Sequence, residues 1–207
     1  VVKSSPSFLL DKKIENKIDD LISQLSLEEK IGQTCQITLE SVLQKNLAGK
    51  MIVPYKIDTT KLNEAINKYK IGSILNVANG PEGPTFNREK WKSVINTVQD
   101  YATNSSSGIP VIYGVDAIHG ATYTSNSTLF PQEIGLAASW DLSLAKSMGE
   151  VTAYETRASG IPWNFSPVLD LGRTPLWSRF FETLGEDVYL TKKMGAAIVE
   201  GYQIGRA

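Results

Sequence analysis

The sequence predicts an α/β fold, an incomplete (β/α)8 TIM-like barrel in which a helical hairpin precedes three to four β/α units. Short, continuously apolar segments alternate with amphipathic helical segments, which is typical of parallel strands covered by helices. Charged residues directly follow the apolar segments, where both barrels and doubly wound sheets keep their sites. No glycine-rich phosphate loop follows a predicted strand, which favours the barrel. The chain has 207 residues and a whole barrel needs about 250, so only part of one is expected.

The N-terminal region predicts the helical hairpin. Apolar residues recur at helical spacing over residues 14–25, with Asp and Lys between them. Ser26 and Glu29 have the spacing of a capping box, which predicts the start of a second helix. Leu27 and Cys35 are expected to lie on the same apolar face of that helix.

The β/α units follow the hairpin. Residues 38–58 have no clear period, and a short helix over 62–69 is expected to end at Gly72. The predicted strands cover residues 71–77, 110–115 and 161–169. The predicted helices after the first strand cover residues 91–102, 142–159 and 190–204.

Composition excludes several classes of function. The chain has 21 Lys and Arg against 22 Asp and Glu, a net charge of -1, so no cationic excess is available for nucleic acid. The only cysteine, Cys35, cannot close an internal disulfide, and the only histidine, His119, excludes a site with two imidazoles. Thiolate chemistry and zinc clusters are therefore not expected, and no metal site is predicted. No apolar run approaches the roughly 20 residues of a membrane span, so no membrane partner is expected.

Three N-x-S/T sequons begin at Asn104, Asn126 and Asn164, and glycosylation there would imply a secretory route. Chance supplies a similar number in a chain of this composition, so the sequons carry little weight. The first ten residues are too short and too polar to predict a secretory signal.

Asp116 and His119 lie on the loop that leaves the predicted strand over 110–115. A carboxylate there can accept hydrogen bonds from two neighbouring sugar hydroxyls. It can equally cap its own turn, and the sequence leaves both interpretations open. For His119 a structural hydrogen bond is favoured over general-base chemistry, although composition alone permits a Ser/His/Asp arrangement.

The loop after the third predicted strand carries a second set of polar residues. Arg179 offers five fixed donors and Trp177 an apolar face, which together suit a polyhydroxylated ring. The alternative is an ion-paired loop, in which Arg173 or Arg179 binds Glu182 or Glu186.

Other residues of these segments favour structural roles. Asp170 is more readily a loop-fixing acceptor than a functional carboxylate. Glu186 and Asp187 are typical of an acidic helix N-terminus. Tyr113 and Phe165 lie within apolar strands and are expected in the core.

Several blocks of the sequence together resemble glycoside hydrolase family 3. In chain order they are LSLEEKIGQ (25–33), IPVIYGVDAIHG (109–120), FPQEIGLAASWD (130–141), ETRASGI (155–161), SPVLDLGR (166–173) and WSRFFETLGED (177–187). The resemblance is to the β-glucosidase and exo-β-glucanase branch, because that branch has an Asp in the D-A-x-H-G block. It implies that residues 1–207 are the N-terminal part of a single family barrel domain.

The resemblance implies two substrate-binding residues. The family's D-A-x-H-G aspartate binds hydroxyls of the terminal, non-reducing glucose, and Asp116 occupies that position. The arginine of the family's W-G-R block contacts the same sugar, and here it is Arg179. Ser178 replaces the usual Gly, and Thr-Pro-Leu at 174–176 replaces the commoner Asp-Pro-Arg, but neither change removes the pair.

The resemblance also implies that no catalytic residue lies in this chain. The family's nucleophilic Asp and acid/base Glu are expected beyond residue 207, and retaining hydrolysis needs two carboxyl groups about 5 Å apart. The expected function of the full-length protein is exo-acting, retaining hydrolysis of terminal, non-reducing β-D-glucosyl residues from β-glucosides or β-glucan oligosaccharides. No cofactor is expected for it, and the expected location is secreted, lysosomal or periplasmic. One alternative is a non-catalytic carbohydrate-binding or structural fragment. A further one is a small complete hydrolase that uses Asp116 and Asp170.

Overall fold

The computed structural model describes residues 11–76 and 86–205, in which four parallel strands form one sheet. They are β1 Gln36–Thr38, β2 Ser73–Leu75, β3 Ile112–Val115 and β4 Trp163–Asn164. The strands lie side by side in chain order, and each pairs in parallel with the next. A strand order that follows the chain without reversal is that of a barrel, whereas a doubly wound sheet reverses its order. The predicted α/β barrel-type fold is confirmed as a partial barrel.

Helices connect the strands. They are α1 Lys12–Gln24, α2 Leu27–Gln33, α3 Thr59–Asn63, α4 Arg88–Thr103, α5 Glu133–Ala137, α6 Leu142–Ala158 and α7 Val188–Gly205. A π-helical turn, Glu64–Lys68, extends α3, and 3-10 turns cover Leu39–Val42 and Phe180–Glu182. The two predicted N-terminal helices and the three long helices are confirmed to within about three residues. None of the described helices is both long and apolar enough to cross a membrane.

Local capping starts α2 at the predicted position. The Ser26 hydroxyl accepts from the Glu29 amide at 3.1 Å, and the Glu29 carboxylate accepts from the Ser26 amide at 3.0 Å. The prediction that Cys35 lies on the face of α2 is wrong, because the helix ends at Gln33 and Cys35 directly precedes β1. Strand pairing begins there, since the Cys35 carbonyl accepts from the amide of Ser73.

β1 and the helix before β2 differ from the prediction. β1 was missed because only Ile37 is apolar in its three residues, too few to show a period. The helix that precedes β2 does not end at Gly72. Its π-helical turn ends at Lys68, and Lys70 has a φ of 58°, in the left-handed region.

The strands over 71–77 and 161–169 are shorter than predicted. β2 covers three residues, and Val77 lies outside the described residues. β4 ends early because its partner β3 ends at Val115, whose carbonyl accepts one more amide, from Phe165. Pro167 then has no amide hydrogen with which to extend the ladder.

Two hydrophobic clusters support the sheet. The first packs the helices before and after β2 against the strands around Trp91 and Tyr113, whose rings meet edge to face at 5.6 Å. The second joins α5, α6 and α7 around Met148 and Ile198. In α6, a Cβ on Gly149 would overlap the backbone of α7, so the glycine allows these helices to pack closely. The first cluster includes residues of β2 and β3 and so supports the strand ends, and the second holds α5, α6 and α7 together.

Candidate functional site

Polar side chains collect at the carboxyl ends of β2, β3 and β4. Asn76 directly follows β2, Asp116 directly follows β3, and Asn164 is the last residue of β4. The register sets Leu75 beside Gly114 and Asn164 beside Val115, so the three side chains leave the sheet at the same edge. In a barrel this edge forms the site.

Asp116 is held by Asn76. The Asn76 Nδ2 donates to Oδ2 of Asp116 at 2.7 Å, and the Asn76 Oδ1 accepts from the Asp116 amide at 2.9 Å. Asp116 is half-buried. Its Oδ1 accepts no hydrogen bond from any residue that the structure describes. One oxygen of the carboxylate therefore remains for a ligand.

Asn164 holds the other side of the same loop. Its Oδ1 accepts from the Ala117 amide at 3.0 Å, and its Nδ2 donates to the Ala117 carbonyl at 3.2 Å. Ala117 is fully buried, so these bonds satisfy backbone groups that water does not reach. The loop after β3 is thus fixed from both neighbouring strands.

Arg179 is paired with Glu182, as one of the two sequence interpretations predicts. Its Nε and Nη2 both donate to Oε2 of Glu182, at 2.7 and 2.6 Å. The arginine side chain is half-exposed and the glutamate nearly buried. The guanidinium has five N–H groups, so this pair leaves three of them for other acceptors.

Neighbouring acidic groups shift the pKa of Arg179. The hydrogen bond to Glu182 raises the pKa of Arg179, partial burial opposes this, and the negative charges of Glu182, Asp116 and Asp170 raise it further. Both Asp116 and Arg179 also act on Tyr123. Burial raises the Tyr123 pKa, the Asp116 charge adds to it, and the Arg179 charge lowers it. The charge of Asp116 therefore acts on Arg179, and both charges act on Tyr123.

One further acidic residue of this environment was not singled out in the sequence. Glu40, just after β1, raises the pKa of the buried Tyr113 and of Tyr123, although burial is the main cause for both. Glu40 lacked a sequence signal because the strand before it was not recognised. A glutamate two residues beyond a strand end is the kind of signal that would have identified it.

The residues assigned structural roles mostly have them. The His119 Nδ1 donates to the Phe130 carbonyl at 3.0 Å, as favoured. The Asp187 carboxylate accepts from the Leu190 amide at 2.6 Å and caps α7. Tyr113 is fully buried, whereas Phe165 is only half-buried and packs on Trp163 at 4.7 Å. Asp170 and Arg173 are exposed, and so is Glu186.

A buried glutamate next to this site was also missed. Glu133 is fully buried and accepts from the Ser166 hydroxyl at 2.8 Å and the Val168 amide at 3.1 Å. Burial raises its pKa to about 8, although both hydrogen bonds oppose the shift. The Tyr202 hydroxyl donates to Ser166 at 2.7 Å and completes the network. The sequence signal for Glu133 was that a glutamate stands inside the apolar block that begins at Phe130.

The sequons differ in accessibility. Asn104 and Asn126 are exposed, but Asn164 is half-buried and its amide binds Ala117. A glycan on Asn164 would break the clamp described above, so we predict that only the first two sequons can be used.

The arrangement suits a neutral, polyhydroxylated ligand. A carboxylate oxygen accepts from hydroxyls and the guanidinium donates to them, and bonds with a charged partner are the stronger ones. No group of three or more His, Cys, Asp and Glu side chains suited to a metal occurs in residues 11–76 and 86–205. The larger grooves, about 670 and 760 Å3, are apolar and lie along α7 and beside α2, away from Asp116.

Comparison with known families gives one match across most of the chain. The Glycosyl hydrolase family 3 N terminal domain matches residues 26–205. The match includes all four strands and both predicted substrate-binding residues.

Individual relatives agree with that family. A lysosomal beta glucosidase of Dictyostelium discoideum is 42% identical over 193 residues, which are 91% of this chain and 23% of that protein. A periplasmic beta-glucosidase of Salmonella typhimurium is 31% identical, over 90% of this chain and 20% of that protein. The crystal structure of an exo-1,3/1,4-beta-glucanase from a Pseudoalteromonas species matches 95% of this chain and 23% of its own, with a TM-score of 0.75 and 30% identity. The chain spans less than a quarter of each of these proteins.

Proposed function

The chain belongs to glycosyl hydrolase family 3, and on that premise we propose that it is the N-terminal part of a barrel in a longer β-glucosidase. The full-length protein hydrolyses terminal, non-reducing β-D-glucosyl residues with retention, and needs no cofactor. This chain supplies part of the glucose subsite through Asp116 and Arg179. The substrates are β-glucosides or β-glucan oligosaccharides.

One observation carries the proposal. Asp116 has its Oδ1 unbound at the carboxyl edge of the sheet, and its charge acts on Arg179, which has donors left beyond its pair with Glu182. Adjacent hydroxyls of a pyranose can donate to the first and accept from the second, so the pair recognises a sugar by its hydroxyl pattern. The pairing with Glu182 supports this role, because it fixes two of the five donors and so orients the rest.

The bond-breaking groups lie beyond residue 207 in this proposal. One carboxylate attacks the anomeric carbon and forms a glycosyl ester, while a carboxylic acid protonates the leaving oxygen. Water then hydrolyses the ester, and the second group accepts its proton. The chain described here contributes sugar binding to both steps and chemistry to neither.

The decisive experiment measures turnover of an aryl β-D-glucoside by the full-length protein. We expect activity, and we expect Asp116→Ala to reduce kcat/KM by about 10- to 150-fold, since a charge-assisted contact is worth roughly 1.5 to 3 kcal/mol. Asp100→Ala, on the exposed face of α4, is the matched control and should leave activity unchanged.

Other outcomes distinguish the alternatives. Binding of glucose that is lost on Asp116→Ala, without any turnover by the full-length protein, would identify a non-catalytic carbohydrate-binding unit. Activity from residues 1–207 alone would point to a small hydrolase built on Asp116 and Asp170. No turnover with the later carboxylates present would refute the β-glucosidase proposal.

The relatives support a location outside the cytoplasm. The Dictyostelium protein is lysosomal and the Salmonella protein periplasmic, so we propose a secreted, lysosomal or periplasmic location here. Fractionation of cells that produce the full-length protein tests this. Treatment with an amidase that removes N-glycans tests whether Asn104 and Asn126 are modified.

A further inference from the structure

Asn76 is bound to β3 and its loop through all four of its polar groups. Its side chain contacts Asp116 through both amide atoms. Its own backbone amide donates to the Gly114 carbonyl at 2.9 Å, and its carbonyl accepts from the Tyr113 hydroxyl at 2.6 Å. Tyr113 is fully buried against Trp91, so this anchor belongs to the rigid core. The position of the Asn76 side chain is therefore set by the sheet.

The backbone at this position also selects the residue. Asn76 has a φ of 47°, in the left-handed region, where Asn and Asp are better tolerated than other side chains apart from Gly. This geometry turns the side chain back toward the neighbouring loop after β3. A β-branched or aliphatic residue would meet a steric penalty here and supply no hydrogen bond.

The contact with Asp116 distinguishes its two carboxylate oxygens. The Nδ2 of Asn76 donates a hydrogen bond to Oδ2 of Asp116, and Oδ1 is left for a ligand. Asn164, on the other side of the loop, binds backbone groups of Ala117 and Ser166. The two asparagines therefore have different roles. Asn164 fixes the backbone of the loop after β3, and Asn76 fixes the carboxylate of Asp116.

We infer that Asn76 is a positioning residue for the sugar contact of Asp116: its amide holds one carboxylate oxygen and presents the other to the hydroxyls of the substrate. The inference rests on the proposed function. Asn76 does not touch the sugar in this arrangement. Without its donor, the carboxylate can rotate, and the oxygen that meets the sugar is no longer defined.

The test measures kcat/KM for an aryl β-D-glucoside and compares the variants Asn76→Gly and Asn76→Asp with the wild type, all as full-length proteins. Gly keeps the left-handed backbone and removes the side chain. Asp keeps the backbone and size but replaces the donor by a second carboxylate. We expect kcat/KM to fall by about 10- to 100-fold for both variants, the range for a hydrogen bond to a charged group. Asn104→Gly, which changes an exposed asparagine next to a helix end, is the control.

Two further readouts separate positioning from a merely structural role. On an Asp116→Ala background, Asn76→Gly should cause no additional loss, because the residue acts through Asp116. The deficit of Asn76→Asp should shrink as the pH falls, because a shared proton restores a donor between the two carboxyl groups. The wild-type protein is measured over the same pH range as the reference. It contains the same nearby ionisable groups, which are Glu40, Tyr123, Asp170, Arg179 and Glu182. The ratio of kcat/KM for Asn76→Asp to kcat/KM for the wild type therefore reports only the interaction between residue 76 and Asp116.

The outcomes separate this inference from the proposed function. Additive losses in the double variant, or unchanged kcat/KM in both single variants, would overturn the role of Asn76 while leaving the Asp116 subsite in place. An active wild-type protein that tolerates Asp116→Ala would overturn the subsite, and the role of Asn76 with it. Non-additivity together with recovery at low pH supports the inference.

Discussion

The loops that leave β3 and β4 are neighbours at one edge of the sheet, but different chemistry holds them. Two asparagine amides, from Asn76 and Asn164, clamp the loop after β3. A single buried carboxyl, Glu133, holds the loop after β4 through Ser166 and Val168. The first clamp is partly open to water, and the second is closed to it.

The difference follows from what each loop must carry. Amides do not titrate, so the clamp on Asp116 keeps the same hydrogen bonds at any ordinary pH and adds no charge beside a carboxylate. Glu133 does titrate, and burial raises its pKa to about 8. The loop after β3 is therefore expected to be indifferent to pH, and the loop after β4 sensitive to it. The next three experiments test this contrast.

The largest effect is expected from Glu133→Ala. The change leaves the Ser166 hydroxyl and the Val168 amide without their acceptor in a buried place, which costs about 2 to 5 kcal/mol. Hydrogen exchange of the Val168 amide in the full-length protein should accelerate accordingly. Exchange of the Asp116 amide serves as the internal control and should change little. Equal acceleration at both amides would mean that the two loops are one unit.

A smaller effect is expected from Asn164→Ala. Its loss leaves the buried Ala117 amide and carbonyl unpaired, at a cost of about 1 to 3 kcal/mol. Exchange of the Ala117 amide should accelerate, with Val168 much less affected. Asn104→Ala, which removes one exposed bond to the Asp100 carbonyl, is the matched control. Unchanged protection of Ala117 would contradict the clamp.

The smallest effect is the change in the free energy of unfolding for each unit of pH. Because folding raises the pKa of Glu133 from 4.5 to about 8, the native protein holds more protons than the unfolded chain between those pH values. Its contribution to stability is complete below pH 4.5 and falls as the pH rises to 8, by at most about 1.4 kcal/mol per unit. Exchange of the Val168 amide, corrected for its intrinsic pH dependence, should report this slope.

Glu133→Gln provides the comparison for that slope. A glutamine still accepts from Ser166 and Val168 but does not titrate, so the slope should flatten. Glu155→Gln changes a carboxylate that accepts from a backbone amide and a hydroxyl of Thr128, in an incompletely buried place, and should leave the slope as it was. A slope that persists in Glu133→Gln would assign the pH dependence to another group.

Long elements were predictable, and short ones were not. α4, α6 and α7 each contain several turns, so their apolar residues repeat often enough to show the period. β1 and β4 contain three and two residues, too few for any pattern. The last strand was predicted to be too long because the residues after Asn164 are largely apolar. In the structure those residues belong to a loop and not to β4. Pairing depends on the neighbouring strand, and the sequence of one strand does not specify its neighbour.

The candidate site divides in the same way. The resemblance to the family supplied Asp116 and Arg179, whose roles remain predictions. The sequence also indicated the ion pair that Arg179 makes, although it did not decide between Glu182 and Glu186. Asn76 and Glu40 follow unrecognised or truncated strand ends, and Glu133 lies in a short helix that had no pattern of its own. None of them has a local signal of its contacts.

The order of apolar and polar residues along the chain by itself determined the fold class, the long helices and the edge of the sheet at which polar groups collect, because these depend on local periodicity. Only the tertiary structure decided that Asn76 meets Asp116 across 40 positions of sequence and that Glu133 is closed off from water. Hydrogen-bond partners and burial depend on which strands and helices become neighbours. That choice is made by the packing of the whole chain.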